Sequence, residues 1–199
     1  MTRSTASKYE KFVKDAIEWQ HTLQTNENSW DYIRKYTPSN IDIYTDGSHE
    51  KHKNSHLGFG ASCIFNEKPY IMAGVCTTDL LRSYDVIEKV SNPTAEFIAL
   101  AEILRTLRQI DANVSNIHFN FYIDYIGIGH WLDGSWKAKK TYIKKIKDEC
   151  LDHIRYLNIK YTIFHVPSHT GVIGNEMADY LAKSGQTLNT FHELFLILS

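Results

Sequence analysis

The 199-residue sequence is short of several things, and each shortage excludes a class of protein. Its three cysteines, Cys63, Cys76 and Cys150, are odd in number and far apart. They fit neither a disulfide framework nor a zinc module, and they favour a reducing compartment. Neither sign of charge is in excess: 22 Lys and Arg against 23 Asp and Glu leave a formal net charge of −1. A globally basic surface is therefore excluded, and any contact with a polyanion must come from a local patch. No apolar run reaches the length of a membrane span, so no membrane partner is expected. The start, Met1-Thr2-Arg3-Ser4-Thr5, leads into charged residues. No signal peptide is expected there, and the expected location is intracellular, nucleus or cytoplasm. Aromatic residues, by contrast, are plentiful, with 12 Tyr and 9 Phe, and the length suits one domain plus an appendage.

Residues 1–40 read as that appendage. Phe12, Ala16, Trp19 and Leu23 recur at helical spacing, which predicts a helix over about 7–23. Thr37-Pro38-Ser39-Asn40 then breaks the chain. From Ile41 the alternation is β: Ile41, Ile43 and Thr45 point one way, and Asp42, Tyr44 and Asp46 the other. The run ends in Asp46-Gly47-Ser48, which reads as a turn. His49, His52 and His56 follow in a polar loop, and a solvated loop accounts for them. Strands over 57–66 and 68–77 form a hairpin onto the first. Asn92 and Pro93 read as the N-cap and first residue of a helix running to about Ile110, with Glu96 near its first turn. Residues 117–124 alternate as a strand that delivers Asp124 to its end. Gly127 and Gly129 weaken a short helix over 126–132.

Next come Trp131, Trp136 and six lysines in eleven residues, Lys137, Lys139 and Lys140 among them. These read either as a phosphate-tracking surface with stacking platforms or as a solvated helix face. A helix with Ile143, Ile146, Cys150, Ile154 and Leu157 at core spacing follows, then a strand over 158–166. The Gly-rich loop Ser168-His169-Thr170-Gly171 leads to a helix that Asn175 is placed to cap, with Asn175 and Asp179 on one face. Residues 41–186 thus form the main unit, and 187–199 an apolar tail that packs on the body.

Asp46 and Asp124 end strands, Glu96 opens one helix, and Asp179 lies early in another. Four acids gathered at one end of a sheet repel one another unless a cation sits among them. Hard oxygen ligands in that number call for Mg²⁺ or Mn²⁺. Two such ions clamp the attacking and leaving oxygens of an in-line phosphoryl displacement. His169, on its loop, is placed to shuttle protons.

Over roughly 41–186 the sequence resembles the ribonuclease H family. Thr45-Asp46-Gly47-Ser48, Thr94-Ala95-Glu96, Ile123-Asp124, Ser168-His169-Thr170-Gly171 and Gly174-Asn175-Glu176-Met177-Ala178-Asp179 look like its motifs in family order. The last is closest in style to the domains of retroelements. The resemblance implies an α/β, ribonuclease H-like fold: a five-stranded mixed sheet, strands 1–3 antiparallel, flanked by helices, with the N-terminal helical extension outside it. It implies hydrolysis of the RNA strand of RNA–DNA hybrids by two metal ions, Mg²⁺ or substituting Mn²⁺, leaving 3′-hydroxyl and 5′-phosphate ends. Asp46, Glu96, Asp124 and Asp179 would be metal ligands, and His169 would join them in catalysis. Gly47, Ser48, Asn92, Trp131, Trp136, Lys137, Lys139 and Lys140 would contact the hybrid, Asn92 through 2′-hydroxyls. Tyr125 and Ile126 depart from the family's third motif, which puts a strand contact in question rather than the metal site. Two other readings compete: a related nuclease acting on DNA, and a non-catalytic hybrid-binding domain of retroelement origin. A monomer is plausible.

Overall fold

A computed structural model describes residues 39–49, 57–66, 68–86, 91–111, 113–168 and 170–198, together with Lys11 and Lys14. The helix expected over 7–23, apart from those two lysines, lies outside the described residues. So do His52, His56 and His169. Among the described residues no helix is long and apolar enough to cross a membrane.

The elements run β1 (Asn40–His49), β2 (Leu57–Phe65), β3 (Lys68–Val75), α1 (Thr78–Ser83), α2 (Asn92–Gln109), β4 (His118–Ile123), α3 (Gly127–Leu132), α4 (Thr141–Leu157), β5 (Lys160–His165), α5 (Ile173–Lys183), β6 (Leu188–Asn189) and α6 (Phe191–Leu198). The strands form one sheet in the order β5-β4-β1-β2-β3-β6. β1, β2 and β3 are antiparallel, and β1, β4 and β5 are parallel. This is the α/β, ribonuclease H-like architecture expected, with one more strand than five. The sixth is short and pairs with Met72 and Ala73 of β3. It forms because Thr190 latches onto that edge. Its backbone N–H donates to the Ile71 carbonyl at 2.8 Å, and its hydroxyl accepts from the Ile71 N–H at 2.7 Å.

Alternation in β1 sorts its neighbours. Ile41 and Ile43 face a large core that α2, α4 and α6 complete. Tyr44 and Asp46 face the other way, towards α5. Helix α2 touches β1, β2, α4 and α6, so nearly all of it is buried rather than one stripe. The apolar tail supplies α6, whose Phe195 meets Phe119 of β4 edge to face at 6.5 Å. A smaller cluster of Ile71, Ala73, Met177 and Leu181 holds α5 to β3.

Four expected boundaries move, each for a local reason. β1 does not turn at Asp46-Gly47-Ser48; it continues to His49, pairing Gly47 with Phe59 and Ser48 with Gly58. Gly47 is there for close packing: a side chain at that position would overlap the backbone of Asn92 and Glu96 in α2. Ser91, not Asn92, occupies the extended cap position before α2. α5 starts at Ile173, so Asn175 is its third residue and not its cap. Gly171, at φ +82°, makes the turn, and its N–H donates to Glu176 Oε1 at 3.3 Å. β5 starts at Lys160, because Asn158 ends α4 in the left-handed conformation at φ 50°.

Candidate active site

Three elements bring carboxylates together. Asp46 sits within β1 opposite Gly60 of β2, Glu96 lies in the second turn of α2, and Asp124 follows the last residue of β4. One carboxylate oxygen from each lies within 4.8 Å of the others. Asp179 approaches from α5, whose backbone rests directly on β2. A side chain at Gly60 would strike Ala178 and Ala182. Asp179 is close enough to Asp46 to raise its proton affinity, although it is not part of the tight trio.

Hydrogen bonds fix the trio. Glu96 Oε1 accepts from the backbone N–H of Asp124 at 2.8 Å and, more weakly, from that of Tyr125 at 3.4 Å. Asp46 Oδ1 accepts from the Gly47 N–H at 2.6 Å. The Ser168 hydroxyl donates to Asp124 Oδ2 at 2.8 Å, which ties the loop that carries His169 to the cluster. The ring of His165 lies 3.0 Å from the Asp124 carbonyl. Lys183 forms an ion pair with Asp179 Oδ1 one helical turn away.

The electrostatics follow from crowding. Burial, then the neighbouring Asp124 and Asp179, pushes the Asp46 carboxyl up to about 8, against the pull of Lys183 and the Gly47 N–H. Burial, then the hydrogen bond and charge of Asp124, holds Glu96 well above the ordinary carboxylate range. Asp179 Oδ2 is buried and has no hydrogen-bond partner among the described residues. Carboxyls that hold protons because burial and neighbouring acids outweigh the lysine nearby, beside a buried carboxylate oxygen with no donor among the described residues, fit a hard divalent cation.

Beside the trio, a cleft of about 280 Å³ runs from Pro93 and Thr94 past Tyr125 and Trp131 to Lys137 and Lys139. Trp131 is half-buried, stacked on Phe97 at 5.7 Å and tilted against Tyr125 at 5.5 Å. Trp136 is exposed and stacks on His130 at 4.6 Å. Asn92, Lys137, Lys139 and Lys140 are exposed, whereas Gly47 and Ser48 are buried in the strand. Tyr125 therefore packs into the wall of this cleft, while Ile126 is exposed. Reading the sequence missed Ser168 and Lys183. The i,i+4 spacing of Asp179 and Lys183 was a usable signal for the second. Nothing local signals the first, because it depends on a contact 44 residues away.

Solved structures share the fold. RNase H1 from the archaeon Halobacterium salinarum is 18% identical, with a TM-score of 0.54 over 73% of this chain and 96% of that one. LC11-RNase H1, isolated from compost by a metagenomic approach and solved in complex with an RNA/DNA hybrid, is 16% identical. Its TM-score is 0.55 over 72% of this chain and 97% of that one. No curated protein is significantly similar to this chain. The family model described as RNase H matches residues 38–187, well over half of the sequence, and the chain belongs to the ribonuclease H family.

Proposed function

We propose that the chain hydrolyses the RNA strand of RNA–DNA hybrids. The observation that carries this reading is the trio of Asp46 and Glu96, both buried, with the half-buried Asp124, and the unsatisfied oxygen of Asp179 facing the same electrostatic problem. Asp46, Glu96, Asp124 and Asp179 are the residues to hold two Mg²⁺ ions, with Mn²⁺ as a substitute. Bound there, the ions supply charge neutralisation and activation of water at the scissile phosphate.

The chain's own groups do the rest. Glu96, held by the Asp124 N–H, keeps one oxygen fixed and orients the other. Ser168 fixes the rotation of Asp124. His169, next in sequence, is the titratable group assigned to proton transfer. As the water oxygen bonds to phosphorus it gives up a proton, the P–O3′ bond breaks, and the departing oxygen takes one up, leaving 3′-hydroxyl and 5′-phosphate ends. The exposed Asn92 and the lysine-lined cleft are suited to hold the two strands, with 2′-hydroxyls distinguishing RNA. The solved relative bound to an RNA/DNA hybrid supports the substrate class.

Labelled hybrid, double-stranded RNA and double-stranded DNA, each incubated with the protein and Mg²⁺, test the reading. Cleavage of the hybrid alone, lost in Asp46→Asn, is expected. Hybrid binding without cleavage would instead make the chain a non-catalytic binder, and cutting of DNA would make it a DNA nuclease.

A further inference from the structure

Asp46 and Asp124 each have a tyrosine two positions earlier, Tyr44 and Tyr122. Residues two apart on a strand share a face and lie about 7 Å from each other. The tyrosines therefore stand on the sheet face that carries the carboxylates, one step along the strands. Their rings stack across β1 and β4, with centroids 4.5 Å apart and planes at 15°. Phe164 of β5 extends the stack, 5.1 Å from Tyr122 at 20°. One end of this row is closed, because Tyr44 lies against Gly174 of α5. Among the described residues the other end is open: β5 is the edge of the sheet, and Phe164 is 41% exposed. The stack runs across the strands, so the outer ring face of Phe164 looks away from the sheet, with no described strand beyond it.

The geometry points to Tyr44, Tyr122 and Phe164 as a stacking platform for an unpaired nucleobase of the RNA strand, where that strand continues past the carboxylates. This rests on the hydrolase reading above. Three features favour a base over a protein side chain. The row is continuous with the carboxylate site on the same face. Its rings are near-parallel, which suits the addition of one more flat π system. Polar groups lie on the same face: His118 pairs with Thr162 at 2.8 Å, the Asp42 carboxylate is engaged by Asn120 at 2.8 Å, and Lys160, on the strand of Phe164, is an exposed cation suited to a phosphate.

Fluorescence anisotropy of the full chain in EDTA tests this with the strands intact. The probes are a blunt hybrid and the same hybrid with four unpaired RNA nucleotides at the 5′ or the 3′ end. One of the two tails is expected to tighten binding about fivefold or more. Phe164→Leu, which keeps apolar bulk without a ring, is expected to lose that gain and leave the blunt hybrid's affinity unchanged; Phe164→Trp is expected to keep it. A tail that adds nothing, or a gain that survives in Phe164→Leu, overturns the platform. So does a wild-type dimer that Phe164→Leu dissolves, since the face then serves a protein contact. If the blunt hybrid is bound and, with Mg²⁺, cut while the tail adds nothing, only the platform fails. If wild type neither binds the hybrid in EDTA nor cuts it with Mg²⁺, the hydrolase reading fails and the platform with it.

Discussion

The backbone N–H of Asp124 donates to Glu96 Oε1 at 2.8 Å, so the end of β4 and the start of α2 are held by an atom of the candidate metal site. Glu96 therefore has a structural role beside the chemical one proposed for it, and the two are separable. Glu96→Gln keeps an oxygen to accept that bond but loses the charge. The melting temperature in EDTA is expected to stay level or rise. The increase given by Mg²⁺ should shrink, and hybrid cleavage should fall by more than roughly 100-fold, the upper range for partners outside the metal's own ligands. Glu96→Leu removes the acceptor as well and should cost about 1–3 kcal/mol of stability for the unpaired N–H. Thermal melts with and without Mg²⁺, beside single-turnover cleavage, check both variants.

Acid should stabilise the metal-free chain in a definite window. Unfolded, Asp46 titrates near the ordinary value of about 3.9. Folded without metal it is pushed up to about 8. Between these values the folded state holds more protons than the unfolded one, so stability falls as pH rises. Asp46→Asn is expected to flatten that slope in EDTA. Mg²⁺ needs the deprotonated site, so the stabilisation it gives wild type should grow over the same window. Urea midpoints from pH 5 to 8.5, with and without Mg²⁺, read both slopes.

Gly47→Ala is expected to destabilise by about 1–3 kcal/mol, the usual range for overpacking. The added methyl meets the backbone of Asn92 and Glu96, which cannot yield as a flexible side chain does. The displacement falls on Glu96 itself, so cleavage should drop beyond what the unfolded fraction explains. Urea denaturation and rates measured well below the melting temperature separate the two effects.

The exposed lysines beside the cleft should act through phosphates. Replacing Lys137 and Lys139 together by Ala should weaken hybrid binding whatever its sequence. It should also reduce the slope of log affinity against log salt by about one for each lysine that touches a phosphate. An unchanged slope would leave them as solvated residues of the segment between α3 and α4, outside the helix face expected from the sequence.

Most of this fold could be read from the sequence, because its elements carry strong periodicity and each acid lies in or beside one of them. Alternation in β1 and β4 and the core spacing of α4 are local signals, and local signals are what a sequence displays. What was missed depends on distant partners. Asp46-Gly47-Ser48 has the composition of a turn, yet β2 keeps it in the sheet, and only the arrival of α2 shows why glycine is needed there. α1 formed where no element was expected because Thr77 caps it, its hydroxyl accepting from the Leu80 N–H. The Asp124–Ser168 bond and the β6 latch join residues far apart in the chain. Asp46, Glu96 and Asp124 were readable as a set only because each stood in a recognisable frame; their common oxygen geometry was not.

The latch at Thr190 also bears on the order of assembly. It closes a loop of 119 residues onto Ile71, and α6, which follows it, buries Phe191, Leu194 and Phe195. A chain emerging from the ribosome can form the β1–β2–β3 meander and α2 early, but Phe119 keeps an uncovered face until Phe195 of α6 has been made. The family match ends at residue 187, so the segment that seals this core lies just outside the part of the sequence that marks the family. A chain that reaches only to residue 187 therefore leaves this face of the core uncovered, and α6 is the element that closes it.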